Sequence, residues 1–237
     1  MKIITWNCNM AFRKKADHIL KYKPDILIIP ECEHPDKLKF PEGSRLPTDI
    51  IWSGDNLNKG IAVFSYTNYK LKTHPSHEPG LKHIIPIAVT GEETDFILFA
   101  IWANNPQDKG FEYVGQVWKA LQHYDQLFNS KPVILAGDFN SNTIWDKPRR
   151  EGNHSAVVSS LEKRNIHSSY HHFFKQQQGK EKRNTLFMYR HPDKSYHIDY
   201  CFVSAGLLEK MVDVKIGSHK KWSHLSDHTP LIVTFDI

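Results

Sequence analysis

Short apolar runs separated by amphipathic or polar stretches recur along the whole chain. Residues 2–6, 26–29, 60–66, 84–89, 96–102 and 133–136 are such runs, several of them apolar at nearly every position. Continuous apolar runs of this length predict strands that are buried on both faces. Residues 196–203 and 231–235 add two late strands. Between them, Phe12, Ala16, Ile19 and Leu20 follow the spacing of a helix face, and Phe111, Val114, Val117, Trp118, Leu121 and Phe128 do so over a longer segment. Residues 155–164 predict a third, shorter helix with Val157, Val158 and Leu161 inward. Helices interleaved with more numerous strands imply sheets packed face to face with helices outside. Residues 175–184 (KQQQGKEKRN) are polar and without period. They predict an exposed loop, serving either as plain solvated surface or as a basic lip for an anionic substrate.

The 237-residue chain contains no repeat, low-complexity block or Pro/Gly/Ser-rich linker, so residues 1–237 are expected to form one domain. Hydrophobic residues at 40% and well-mixed charges exclude disordered and fibrous classes. The formal charge of +5 favours phosphate-bearing partners only slightly. Cys8, Cys32 and Cys201 have no close pair spacing, which fits free buried thiols in a reducing compartment. No apolar run reaches the ~18 residues of a membrane span, and MKIITW begins a strand rather than a secretory leader. A cytoplasmic location is expected, with no obligate protein partner indicated.

Polar residues gather where the predicted strands end. Asn7 follows the first run, Glu31 follows the second, residues 137–140 (GDFN) follow the run at 133–136, and Ser226, Asp227 and His228 precede the last. Asp199 lies inside a late strand. Side chains leaving neighbouring strands near one edge converge on a cleft. Four carboxylates there, Glu31, Asp138, Asp199 and Asp227, would repel one another without a compensating cation. Hard oxygen donors and the lack of a cysteine-histidine pattern suit Mg²⁺ rather than zinc. His228 suits donation to a phosphate oxygen or proton transfer. The other histidine groups, His74, His77 and His83, then His171 and His172, then His191 and His197, fit no usual zinc spacing. His197 is two residues from Asp199 and would share its strand face. In residues 141–155, Arg149 and Arg150 are candidate phosphate binders and Trp145 a candidate stacking platform, with Trp222 on the opposite wall. Either tryptophan serves equally as a loop anchor.

TWN at 5–7, PE at 30–31, KGIAVFS at 59–65, GDFN at 137–140, HIDYCFVS at 197–204 and LSDHTP at 225–230 resemble the endonuclease/exonuclease/phosphatase superfamily, a group of metal-dependent phosphoesterases that includes DNase I-like nucleases. The resemblance implies an α/β fold, a four-layer sandwich of two mostly antiparallel sheets with helices on both outer faces. It implies Mg²⁺, with Mn²⁺ as a substitute, at Glu31, Asn7 and Asp227. It also implies that Asp138 orients or deprotonates water, that Asn140 holds phosphate, that His228 donates to a non-bridging oxygen and that Asp199 fixes the His228 ring. Trp102 stands where many members carry histidine or tyrosine; an indole donates one N–H but exchanges no proton near neutrality. Trp102 is therefore either a donor in the cleft or ordinary core, with Asn104 and Asn105 as further donors. The leading expectation is a Mg²⁺-dependent phosphodiesterase, a nuclease acting on DNA or RNA by metal-activated in-line water attack. The alternatives are an enzyme for a small phosphorylated metabolite or lipid head group, and a catalytically silent phosphate-binding module.

Overall fold

The computed structural model describes residues 1–40, 43–105 and 107–237. Its strands are β1 (Lys2–Thr5), β2 (Ile26–Cys32), β3 (Asp49–Asn56), β4 (Lys59–Ser65), β5 (Lys70–Thr73), β6 (Ile84–Thr90) and β7 (Phe96–Trp102), followed by β8 (Val133–Asp138), β9 (Ile166–Ser168), β10 (Leu186–Phe187), β11 (Ser195–Tyr196), β12 (Asp199–Ser204), β13 (Met211–Ile216) and β14 (Leu231–Phe235). Among the described residues they form two six-stranded sheets, in the orders β13-β14-β1-β2-β4-β3 and β5-β6-β7-β8-β12-β9, and a small hairpin of β10 and β11. In each large sheet the two central strands are parallel, β1 with β2 and β7 with β8. Every other neighbouring pair is antiparallel.

The alternation of side chains along each strand builds the layers. Ile26 and Ile28 of β2 face Leu98 and Ala100 of β7 within one buried cluster between the sheets. Leu27 and Ile29 turn outward to Phe12, Ala16 and Ile19, which lie in and beside the short helix α1 (Ala16–Leu20). Ile97, Phe99 and Ile101 turn the other way, beneath α2 (Val114–His123) and α3 (His154–Glu162). The result is the four-layer α/β sandwich that the motifs imply. Because each central strand is covered on both sides, its run is apolar at consecutive positions.

Three differences from the pattern have clear local causes. The helix expected through Phe12 and Leu20 is broken into a 3₁₀ turn, Phe12–Lys14, and α1. The buried Glu33 carboxylate takes the backbone N–H groups of Phe12 (2.7 Å) and Arg13 (3.1 Å), so these donors do not enter one continuous helix. The expected 196–203 strand is interrupted at residues 197 and 198. There Thr185 Oγ1 accepts the N–H groups of both Ile198 and Asp199, each at 3.0 Å, in place of a ladder. Finally, the polar segment 175–184 is pinned rather than loose. Gln176 accepts from Tyr170 at 2.8 Å, and Glu181 meets His171 at 3.0 Å and the Gly179 N–H at 3.0 Å. No helix of the described residues is long and apolar enough to cross a membrane.

Candidate active site

The carboxyl ends of the two central parallel pairs emerge at one edge of the sandwich, where layered α/β folds place ligands. From the first sheet come Asn7, just past β1, and Glu31, inside β2. Glu31 has φ +62°, and the pairing of β2 with β4 skips a residue between Pro30 and Cys32. Such a bulge re-aims a side chain, and a non-glycine residue is held at positive φ only where its surroundings fix it. The Asn7 amide Nδ2 then reaches Glu31 Oε1 at 3.3 Å and, across the sandwich, Asp138 Oδ2 at 3.0 Å. Its Oδ1 accepts the Asn9 N–H at 3.0 Å. In this orientation Asn7 braces the carboxylates through its amide nitrogen. Lys59 Nζ lies 3.2 Å from Glu31 Oε2.

The second sheet supplies Asp138, at the end of β8, opposite Asp199 in β12. Gly137 precedes it at φ +147°, and a Cβ there would sit 1.8 Å from the Ile101 carbonyl oxygen, so only glycine lets β8 lie this close to β7. The Asp138 carboxylate is held by the Asn140 N–H at 2.8 Å and by Asn140 Nδ2 at 3.2 Å. Asp199 Oδ2 stands 2.8 Å from His228 Nδ1, both residues buried. His228 is anchored through its main chain, its carbonyl taking Trp6 Nε1 at 3.0 Å and its N–H going to Ser226 Oγ at 3.0 Å. Burial opposes a charge on His228, but the Asp199 carboxylate outweighs it and raises the imidazole to about 10. Burial, reinforced by the negative charge of Asp199, lifts Asp138 to about 7. At neutral pH the pair is therefore an imidazolium on a carboxylate, beside an acid poised to exchange a proton.

These groups open into a cleft of about 500 Å³ lined by Asn7, Glu31, Asp138, Asn140, Asp227 and His228, with Asn9 and residues 186 and 188–190 on its rim. Asp138, Asp199 and His228 can bring one ligand atom each within 4.8 Å of one another. The 2.8 Å contact between Asp199 and His228 is a hydrogen bond and leaves no room for an ion between those two atoms. The carboxylates of Glu31 and Asp227 face the same cleft as hard oxygen donors, and Asn9 Nδ2 holds Asp227 Oδ1 at 2.7 Å. That donor set fits a hard divalent cation such as Mg²⁺.

Other expected site residues lie elsewhere. Trp222 is 1% exposed and packs edge-on against Trp6 at 4.9 Å, so it buttresses the residue that holds His228 and presents no face to substrate. Trp102 is 3% exposed, in the core between the sheets, with His83 tilted against one side at 4.6 Å and Lys59 5.1 Å from its ring. It lies beneath Lys59, the partner of Glu31, and is not among the described residues lining the cleft. His197 is enclosed by Tyr170 (4.3 Å) and Tyr200 (5.0 Å), with Nδ1 2.9 Å from the Arg183 carbonyl. The break at 197 and 198 cancels the strand alternation that would have turned it to the face of Asp199. Arg149 and Arg150 line a separate hollow of about 350 Å³, where Arg150 Nη2 donates to the Glu112 carbonyl at 2.7 Å. Trp145 is exposed and packs on Tyr196 at 4.8 Å, but is not among the described residues lining the cleft. Asn104 and Asn105 are half-buried just past β7, next to Ala103, whose carbonyl accepts Asn140 Nδ2 at 3.1 Å.

The sequence pattern passed over Asn9, Lys59, Thr185, Tyr189 and Arg190. Lys59 was visible as the first residue of KGIAVFS, and Asn9 as the second asparagine of WNCN. Tyr189 and Arg190 carry no local signal, because only the return of the chain past His228 brings them to the site.

A family model described as the Endonuclease/Exonuclease/phosphatase family matches residues 4–228. No curated protein matches the sequence. Among solved structures, the 3′ phosphatase NExo from Neisseria bound to a product DNA hairpin superposes with TM-score 0.70 at 20% identity, over 100% of both chains. An AP endonuclease from Archaeoglobus fulgidus gives 0.69 at 19%, also over 100% of both. An endonuclease/exonuclease/phosphatase family protein from Leptotrichia buccalis gives 0.65 at 18%, again over 100% of both. These three likenesses are likenesses of fold.

Proposed function

The chain belongs to the endonuclease/exonuclease/phosphatase family, and from that premise we propose that it is a divalent-metal-dependent phosphodiesterase, a nuclease acting on DNA or RNA. The observation that carries this reading is the buried Asp199–His228 pair at 2.8 Å opening on the same cleft as Glu31 and Asp138. A catalytically silent module has no need to keep a charged pair buried, since desolvating it costs several kcal/mol per ion unless it is well compensated.

Glu31 and Asp227 would hold Mg²⁺, or Mn²⁺ in its place, with Asn7 bracing Glu31. Bound there, the cation neutralises charge on the phosphoryl group undergoing in-line displacement. His228, with Nδ1 committed to Asp199, has Nε2–H left to donate to a non-bridging phosphate oxygen. Asn140 orients the Asp138 carboxylate and offers its amide to the phosphate. Asp138 orients the attacking water and takes its proton as the new P–O bond forms and the bond to the leaving oxygen breaks; the departing alkoxide takes a proton from solvent. Asp138, near 7, is matched to that task. The likeness to a 3′ phosphatase seen with a DNA hairpin supports a nucleic-acid substrate.

A cleft of about 500 Å³ also suits a small phosphorylated metabolite or head group. A hydrolysis panel separates the two. Single- and double-stranded DNA, RNA, inositol phosphates and sphingomyelin are incubated with Mg²⁺ and with excess chelator. Cleavage of a nucleic acid that stops in chelator is expected. Turnover confined to small phosphoesters, or undiminished in chelator, would sink the reading.

A further inference from the structure

Both carboxylate oxygens of Glu31 are engaged by the chain itself. Oε1 accepts the Asn7 amide at 3.3 Å, and Oε2 lies 3.2 Å from Lys59 Nζ. Asp227, the other carboxylate suited to a cation, is held differently, by the neutral Asn9 amide at 2.7 Å. Glu31 thus faces a positive charge of the protein's own at an oxygen that a divalent ion would take.

Lys59 is delivered there by the turn between β3 and β4. It opens β4 and stands opposite Asn56 of β3. The turn is tied to the segment just past Glu31: the Leu57 carbonyl accepts the His34 N–H at 2.9 Å, and Lys37 Nζ donates to Asn58 Oδ1 at 2.6 Å. Glu31 and Lys59 are therefore positioned together. The ammonium also rests over the Trp102 ring, 5.1 Å from its centroid, within the range of cation–π attraction. Trp102 is buried between the sheets, so that second seat is fixed. Lys59 has two partners, a carboxylate and an indole face, and losing the first leaves it the second.

The strength of the first decides what happens when a metal arrives. Lys59 keeps 37% of its side chain exposed and Glu31 19%, and an ion pair open to water in this way contributes little. At equal distance a divalent ion attracts the same carboxylate about twice as strongly as an ammonium does. The pair is strong enough to orient Glu31 and weak enough to be exchanged.

We infer that Lys59 is a placeholder cation for the metal site. It holds Glu31 in its ligating position in the metal-free protein, gives up Oε2 to a divalent ion and stays on the Trp102 face. By this exchange it sets the metal concentration at which the site fills. The inference rests on the metal-dependent reading above and adds to it a residue that governs metal affinity without being a ligand.

The test is binding of Mn²⁺ to chelator-treated protein without substrate, read from the electron paramagnetic resonance of the free ion. Lys59→Met keeps an apolar stem over Trp102 and removes the charge; it binds Mn²⁺ roughly three- to tenfold more tightly than the wild type. Lys59→Gln, a second neutral variant, gains likewise. Lys59→Arg keeps the charge and binds Mn²⁺ no more tightly than the wild type. Lys131→Met removes an equal charge from an exposed pair with Asp95, ahead of β8, and leaves the affinity unchanged. Circular dichroism confirms that each variant is folded. Neutral variants at residue 59 that bind Mn²⁺ as the wild type does, or more weakly, overturn the inference, as does an equal gain in Lys131→Met. A wild-type protein that takes up no Mn²⁺ overturns the metal-dependent reading together with it, whereas an affinity that ignores residue 59 overturns this inference alone.

Discussion

Asp199 has one oxygen on His228 Nδ1 and another, Oδ1, buried without a partner among the described residues. Among the described residues, its side-chain hydrogen bonding therefore runs through that ring. Removing either member should leave the other with nothing to act on, so Asp199→Asn and His228→Ala are each expected to cost at least ~10²-fold in turnover, and the double variant little more than the worse single one. Steady-state kinetics of the three proteins checks this; additive losses would show that the two work separately. At this scale the sequence was informative where chemistry and position coincide. Asn7, Glu31, Asp138, Asn140, Asp227 and His228 are polar groups at strand ends, and all six line one cleft. It misled where nearness in sequence stood in for nearness in space. Trp222 is four residues before Ser226 yet buried behind Trp6, and Arg149 follows GDFN by only nine positions yet lines another hollow. Tyr189 and Arg190 were invisible for the opposite reason, since they reach the site from a hairpin with no motif of its own.

Among elements, hydrophobic pattern located the strands that are covered on both faces and passed over those at the margins. The missed strands β3, β5, β9 and β13 are the four edges of the two sheets. An edge strand has one neighbour, and natural edges carry charge against aggregation; KLKT in β5 and MVDVKI in β13 therefore read as surface. The 175–184 segment is exposed at Lys175, Gln177, Lys180, Lys182 and Arg183, as its polarity implies, but Gln178 and Glu181 turn to His154 and His171. That buried network should make the fold acid-sensitive. Burial holds His197 down to about 4, from an ordinary value near 6.5. Between those values the unfolded chain takes up a proton that the folded chain refuses, so this contribution to stability is present above pH 6.5 and lost as pH falls to 4, on the order of 3 kcal/mol. His154, also lowered by burial, acts in the same direction. Glu181 extends the loss further down: burial works to raise it, but the His171 bond and the Gly179 N–H outweigh this and leave it at about 2, so its contribution fades between about 4.5 and 2. Melting temperature against pH should fall steeply below 6.5 in the wild type and less steeply between 6.5 and 4 in His197→Gln. Parallel curves for the two proteins would remove His197 as the cause.

For the molecule as a whole, the two sheets share one plan, and each delivers part of the site from strands at or beside its central parallel pair. Asn7 and Glu31 come with β1 and β2, while Asp138 and Asp199 come with β8 and β12. At the site, the Asn7 amide between Glu31 and Asp138 and the Asp199–His228 bond link the two sides of the sandwich directly. Glu31 and Asp227 from one sheet and Asp138 from the other face a common cleft across the seam between the sheets, and a cation there would offset their charge. A divalent ion bound there should therefore tighten the entire fold. At a hundredfold excess over Kd, a ligand specific for the native state stabilises by about 2.7 kcal/mol. In a chain of this length each kcal/mol moves Tm by about 2–4 °C, so Mg²⁺ is expected to raise Tm by roughly 5–10 °C over the protein in chelator. Glu31→Gln keeps the size of the side chain and removes one ligand charge. Its Tm in chelator should stay close to that of the wild type, because the repulsion removed is offset by the lost ion pair with Lys59, while its response to Mg²⁺ should shrink to a degree or two. Differential scanning calorimetry of both proteins, with Mg²⁺ and with chelator, reads all four values. A wild-type Tm indifferent to Mg²⁺ would remove the cation from the seam, and a Glu31→Gln protein with the full Mg²⁺ shift would move it away from Glu31.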